Sequence, residues 1–258
     1  MKNERKKSVY ILIAIVIALV IIISAVISHN VKKSREEAEN ESLSEEMSDV
    51  YIASQKNVKN ISGDTSVLFV CTDDTDINIS FIGRLDFIVF SSEIRITPYI
   101  PSDYDGIYSV GGIDSVIAKS EKDTGIDIDR YIVMSKKEFI SVINSFDNVN
   151  YNIDENFTYE SSDKNYSVRK GENSMNSSMV YEYLKILFSR NDNFKSAGGF
   201  IQTAAEKYLN NINPNNAVTV YNSIINSSHT DLTAADYYSA ESGIEYMLSN
   251  KIKVTVNM

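Results

Sequence analysis

The densest group of residues able to do chemistry is Thr72-Asp73-Asp74-Thr75-Asp76, which directly follows an apolar run. Its closely spaced carboxylates suit a hard cation such as Mg2+, which takes oxygen ligands and often a substrate phosphate. The same residues also make an ordinary solvated turn, because Asp is a turn former. Other chemistries have little to work with. The single cysteine, Cys71, ends the apolar run and reads as a packed thiol; it excludes an internal disulfide and a Cys-cluster metal site. Two histidines, His29 and His229, are too few for a His-based zinc centre, and His229 lies in a Ser/Asn-rich turn. No G-x-G-x-x-G, P-loop, G-x-S-x-G or H-E-x-x-H occurs.

The acidic loop has to be held by the elements around it. Val67 to Cys71 reads as a buried strand. Ile77 to Ile82 and Leu85 to Phe90 read as two further strands, with Gly83-Arg84 as the turn between them. Glu93 to Ile100 alternates, with Ile94, Ile96 and Pro98 on one face, and Pro98 marks an edge or a bulge. The period then changes. Ile113, Val116, Ile117 and Ser120 stand at helical spacing, and Gly125 is a natural stop. Tyr131 to Met134 is a strand, and Ser135-Lys136-Lys137-Glu138 fits a capping box for the helix after it. Val149 to Ile153 alternates as another strand, and Asp154 to Gly171 reads as a long polar loop. The final third is mainly helical, with apolar stripes starting at Met175, Phe200 and Val218 and a cap at Thr233; Lys251 to Val256 closes the chain as a strand. The fold class is α/β: a central mixed β-sheet covered by helices.

Ahead of this domain, Val9 to Ile27 forms 19 residues that are apolar apart from Ser24 and the amphipathic Tyr10. At about 1.5 Å per residue, such a helix nearly spans a hydrocarbon core of roughly 30 Å. Val26-Ile27-Ser28 is a poor signal-peptidase site and the run is long for a signal peptide, so an uncleaved anchor is expected. Lys2, Arg5, Lys6 and Lys7 precede the run and Lys32, Lys33 and Arg35 follow it, which leaves a slight bias to a cytoplasmic N-terminus. The expected organisation is a cytoplasmic tail over 1–8, a transmembrane helix over 9–27, a polar stalk over 28–63 and an extracytoplasmic domain over 64–258. Within the stalk, Leu43, Met47, Val50 and Tyr51 would make a thin helical stripe, so a short coiled coil is the alternative.

The whole chain carries 25 Lys+Arg and 35 Asp+Glu, a net charge of -10. Without the four bases and one acid of the first 27 residues, 21 bases face 34 acids, a net charge of -13. That balance excludes nucleic acid as the main partner and repels anionic lipid surfaces outside a local basic pocket.

The order of these pieces resembles the LytR-CpsA-Psr family of cell-envelope proteins. Val67 to Asp73 is similar to the family's opening strand, which ends in Gly-Thr-Asp, and Asp76-Ile77 resembles the start of its Asp-Thr-Ile strand. Ile100-Pro101-Ser102-Asp103 resembles its Ile-Pro-Arg-Asp motif. Gly111-Gly112 through Gly125-Ile126-Asp127-Ile128-Asp129-Arg130-Tyr131 follows its Gly-Gly, helix, Gly-Ile-x-Ile-Asp-x-Tyr pattern. Met175 to Lys185 resembles the helix that carries Tyr-x-Arg-x-Arg, and Thr230 to Thr233 a late segment.

The resemblance implies a short cytoplasmic tail, one span and an extracytoplasmic α/β domain. The implied activity is transfer of glycopolymers from polyprenyl-pyrophosphate carriers to peptidoglycan, with Mg2+ and arginines on the pyrophosphate. A leaving pyrophosphate needs such charges to absorb its own. Carried over residue by residue, Asp76 and Asp103 would hold the metal, and Asp103, Ser102 and Lys185 would stand at the catalytic positions. Lys185, Arg190, Lys195 and Arg84 would be the substrate-binding cations. The chain departs from the pattern at its arginines. Ser102 stands at the motif arginine, Lys185 and Leu187 stand at the two of Tyr-x-Arg-x-Arg, and Ala197 to Gln202 contains no base where the family has two. Lysine keeps a charge but not the bidentate fork. The expectation is a non-catalytic binding or accessory module in cell-envelope glycopolymer assembly, partnered by the lipid-linked polymer or by envelope proteins. The alternatives are a divergent Mg2+-dependent phosphotransferase and a surface sensor or interaction module.

Overall fold

The computed structural model describes residues 64–257 except 74, 76, 145, 162–163 and 190–193. The expected transmembrane run and stalk lie outside the described residues, and among those described no helix is long and apolar enough to cross a membrane.

The centre is a six-stranded mixed sheet. Its strands are β1 (Thr65–Thr72), β2 (Ile79–Ile88), β3 (Glu93–Tyr99), β4 (Arg130–Met134), the two-residue β9 (His229–Thr230) and β10 (Lys253–Val256), in the order β10-β3-β2-β1-β4-β9. β1 and β4 run parallel, as do β3 and β10, while β1–β2, β2–β3 and β4–β9 are antiparallel. A crossover from β3 to β4 needs a helix, and α1 (Asp105–Thr124) supplies it. Gly125 ends α1 in the left-handed region at φ 67°, where a glycine carries no Cβ penalty.

The other helices are α2 (Lys136–Ile143), α3 (Ser177–Ser189), α4 (Phe194–Leu209), α5 (Ala217–Ser227) and α6 (Ala234–Ser249). They divide the interior by sheet face. α1 covers Leu68, Val70 and Ile82 on one face. The larger core lies on the other, where Val67, Phe69, Cys71, Phe81 and Phe87 meet α2 to α6. Alternation of side chains along each strand produces this division. The predicted capping box of Ser135 with Glu138 forms at α2, and the cap expected at Thr233 forms as a second capping box with Asp236 at α6.

Two expectations are overturned. Gly83-Arg84 is not a turn, because β2 runs unbroken through both residues. A Cβ at Gly83 would lie 3.0 Å from the Thr97 carbonyl oxygen, so glycine serves close strand approach here. Arg84 stays in the strand because its side chain meets Asp86 two residues on, on the same face. Nor is 154–171 a loop. β6 (Phe157–Ser161) and β7 (Lys164–Val168) form a hairpin, and β8 (Gly171–Met175) pairs with β5 (Val149–Ile153). Phe157 opposite Val168 buries the hairpin's base, and the Phe157 ring stacks on Tyr183 of α3 at 5.2 Å.

Candidate functional site

One end of the sheet collects the residues singled out above. β1, β3 and β4 finish there and β2 begins there. After β3, a single 3-10 turn over Pro101–Asp103 reverses the chain. Pro101 and Tyr104 are buried, and Tyr104 stacks on Tyr99 at 5.5 Å, so the turn is anchored on both sides. Between these anchors Ser102 and Asp103 are exposed. The Asp105 carboxylate then accepts a 2.6 Å hydrogen bond from the Ile79 amide and ties this turn to the start of β2.

Beside it, the loop after β1 is locally closed. Asp73 Oδ1 accepts from the amide and hydroxyl of Thr75, at 3.0 and 2.6 Å, and Oδ2 accepts from Asn78 at 2.8 Å. Partial burial raises the Asp73 pKa, but these hydrogen bonds outweigh it and hold the carboxyl below its ordinary range. Asp76 lies outside the described residues, and Asp103 stands as the other expected metal ligand. Among the described residues no group of three or more His, Cys, Asp or Glu comes together to hold a metal. The Asp73 carboxylate is engaged by its own turn.

The cations divide by position. Arg84 is only 5% exposed. It grips Asp86 through two hydrogen bonds, of 2.7 and 3.0 Å, and reaches the Tyr99 hydroxyl at 3.5 Å. Burial lowers its pKa, but Asp86 more than compensates and holds it above the usual value. Arg84 pairs with Leu68 across the sheet, on the face covered by α1. Lys185 is exposed on α3. Lys195 lies in the first turn of α4, and Arg190 lies outside the described residues. The structure therefore brings Ser102 and Asp103 together and sets Arg84 apart from them as a buried, paired residue. The positions where the resemblance implies further arginines carry apolar residues or glycine. Leu187 is a core residue, Gly198 is buried and Ile201 is half-buried in the cavity wall.

Two features were not read from the sequence. The first is an apolar cavity of about 100 Å3 between β2–β3 and helices α2, α3 and α4. Phe81, Leu85, Ile96, Phe139, Phe188 and Ala204 are among its walls, and no polar atom contributes to its exposed lining. A wider groove lined by Leu209, Leu248, Ile252 and Lys251 is mixed in polarity. The second is a polar cluster at the site end. Lys136 Nζ lies 3.0 Å from Glu182 and 5.2 Å from the centre of the Tyr181 ring, whose hydroxyl is 2.6 Å from Ser80 Oγ. Lys136 was visible only as a member of a capping box. Glu182 had no sequence signal, because its partner is 46 positions away.

The LytR_cpsA_psr family profile matches residues 103–257, beginning just after the Ile100-Pro101-Ser102 segment. No curated protein matches. Among solved structures, a protein from Eubacterium siraeum DSM 15702 described as a transcription regulator aligns with a TM-score of 0.65 at 20% identity, over 75% of this chain and 81% of its own. Bacillus subtilis TagV aligns with a TM-score of 0.57 at 15% identity, over 76% of this chain and 85% of its own. TagT bound to LI-WTA aligns with a TM-score of 0.51 at 12% identity, over 79% and 80%. At these identities the likeness is one of fold.

Proposed function

The chain belongs to the LytR-CpsA-Psr family, whose members take part in attaching cell-wall glycopolymers, and from that premise we propose that it binds a prenyl-linked glycopolymer carrier without transferring the polymer. In this reading 9–27 is the membrane anchor, the N-terminus is cytoplasmic and the folded domain faces the outside of the cell membrane. The observation that carries the reading is the apolar cavity. Tight protein interiors leave few voids, and a dry, apolar one is a ready site for a hydrocarbon. The volume is smaller than the roughly 150 Å3 of an engineered cavity that takes benzene, so a prenyl tail would enter by spreading α3 and α4 from the sheet.

The absence of transfer is supported by what fills the arginine positions. Ser102 cannot supply charge, and Leu187 is a packed core side chain. Lys185 alone offers a point charge where a transferring enzyme needs several guanidiniums against a leaving pyrophosphate. Mg2+ enters only in the alternative, a divergent phosphotransferase with Asp76 and Asp103 as ligands.

The test uses the full-length chain in lipid nanodiscs. A short polyprenyl pyrophosphate is titrated with and without Mg2+, and polymer transfer to peptidoglycan is assayed in parallel. Saturable binding with no transfer is the expected result. Mg2+-dependent transfer lost in Asp103→Ala would establish the phosphotransferase instead. No binding by a folded protein would leave an interaction module.

A further inference from the structure

The end of the sheet opposite the candidate site carries an exposed aromatic surface. β1, β3 and β4 begin there and β2 ends there. Thr65 pairs with Phe87, so the chain enters β1 beside the 3-10 turn Val89–Ser91 that joins β2 to β3. Val89 is buried and fixes this turn, whereas Phe90 at its tip is 84% exposed. α6 lies along the same end. Its first turn is tied to the start of β4 by the 3.0 Å ion pair of Arg130 with Asp236. In its last turn the Tyr246 hydroxyl donates to the Phe90 carbonyl oxygen at 3.5 Å. Tyr237, Ala240, Ile244 and Met247 face the core, which leaves Tyr238, Ser242 and Tyr246 as an exposed stripe at i, i+4 and i+8. Lys251 and Lys253 follow, both exposed, and the Lys253 amide donates to the Ser92 carbonyl oxygen beside the tip at 2.9 Å.

Single exposed apolar side chains are ordinary. Here Phe90, Tyr238 and Tyr246 gather at the end where the chain leaves the sheet toward its N-terminal apolar run. Tyrosine rings with a polar tip settle at the head-group level of a bilayer, and lysines beside them keep their charge in water. We infer that this end of the domain rests on the membrane surface, with Phe90 inserted at the interface and Tyr238 and Tyr246 beside it. The inference rests on 9–27 being the membrane anchor, which keeps the surface within reach and makes weak insertion sufficient. Glu241 and Glu245 are exposed on the same helix, so the contact is made by aromatic insertion and not by attraction to anionic lipid. β1 is eight residues long, so the site end is held roughly 25 Å from the lipid and faces away from it.

The chain has no tryptophan, so Phe90→Trp places a single fluorescent reporter at the tip. Tyr246→Trp places a second one beside it, and Val110→Trp places a control at an exposed position in the site-end half of α1. The full-length variants, each checked for native circular dichroism, are reconstituted in phosphatidylcholine nanodiscs with plain or brominated acyl chains. Bromine quenches tryptophan on contact. Phe90→Trp is expected to lose most of its emission in the brominated discs, Tyr246→Trp part of it and Val110→Trp none. Adding Tyr238→Asp and Tyr246→Asp to Phe90→Trp is expected to abolish the quenching. If the chain is retained in the discs but Phe90→Trp ignores bromine and is open to aqueous iodide, the docking falls and the anchor stands. Equal quenching of Phe90→Trp and Val110→Trp overturns it too. If the chain is not retained in the discs, the anchor reading falls and the docking with it.

Discussion

Arg84 shows how a side chain's partner decides its role. The residue is 5% exposed and its guanidinium is held by Asp86, which also accepts from Ser66 Oγ at 2.8 Å. Removing one partner of such a pair strands a buried charge, so Asp86→Ala is expected to lower unfolding free energy by about 3–5 kcal/mol. Replacing both partners with apolar residues should cost far less, and urea melts of the single and double variants measure the difference. Asp73 carries a pH prediction. Its folded pKa lies below the ordinary 3.8 because Thr75 and Asn78 bind the carboxylate. A depressed carboxyl stabilises the fold above its unfolded pKa and loses that contribution as pH falls through the folded one. Wild type should therefore weaken more steeply than Asp73→Asn below about pH 4, read as urea midpoints across an acid series.

Single elements show which local signals survive packing. The two capping boxes are satisfied by bonds spanning three residues, so tertiary context had little to override. Thr233→Ala should cost about 1 kcal/mol by removing the cap from α6, measured by thermal melting. Gly83 is the opposite case. In sequence it looks like a turn, yet its reason is the neighbouring strand. A Cβ there meets the Thr97 carbonyl oxygen at 3.0 Å and Pro98 Cα at 3.3 Å, both backbone. Gly83→Ala should destabilise by about 1–3 kcal/mol as the strands are forced apart, visible in the same melts. In α3, Leu187 faces the core while Lys185 faces solvent. That orientation bars position 187 from offering a charge to a ligand.

At the scale of the molecule, the two faces of one sheet do different work. The α1 face seals Arg84, Tyr99 and Ser120 into a polar seam. The other face carries the cavity. Ala204 is buried in its wall, so Ala204→Leu should fill the void with stability kept or raised by about 0.5–2 kcal/mol. The same variant should abolish saturable prenyl binding in the nanodisc titration, whereas a site elsewhere would leave binding intact. By itself the sequence determined the α/β class, most strands and helices, the helix caps, the buried Cys71 and the family, because these depend on periodicity, on contacts a few residues apart and on the order of motifs. Tertiary structure alone decided that β2 is one strand, that 157–168 pairs on itself, that Arg84 turns away from the cavity, and that Lys136 meets Glu182. Each of these outcomes depends on strands or helices that meet only after the chain has folded, and a void between them leaves no mark on the order of residues.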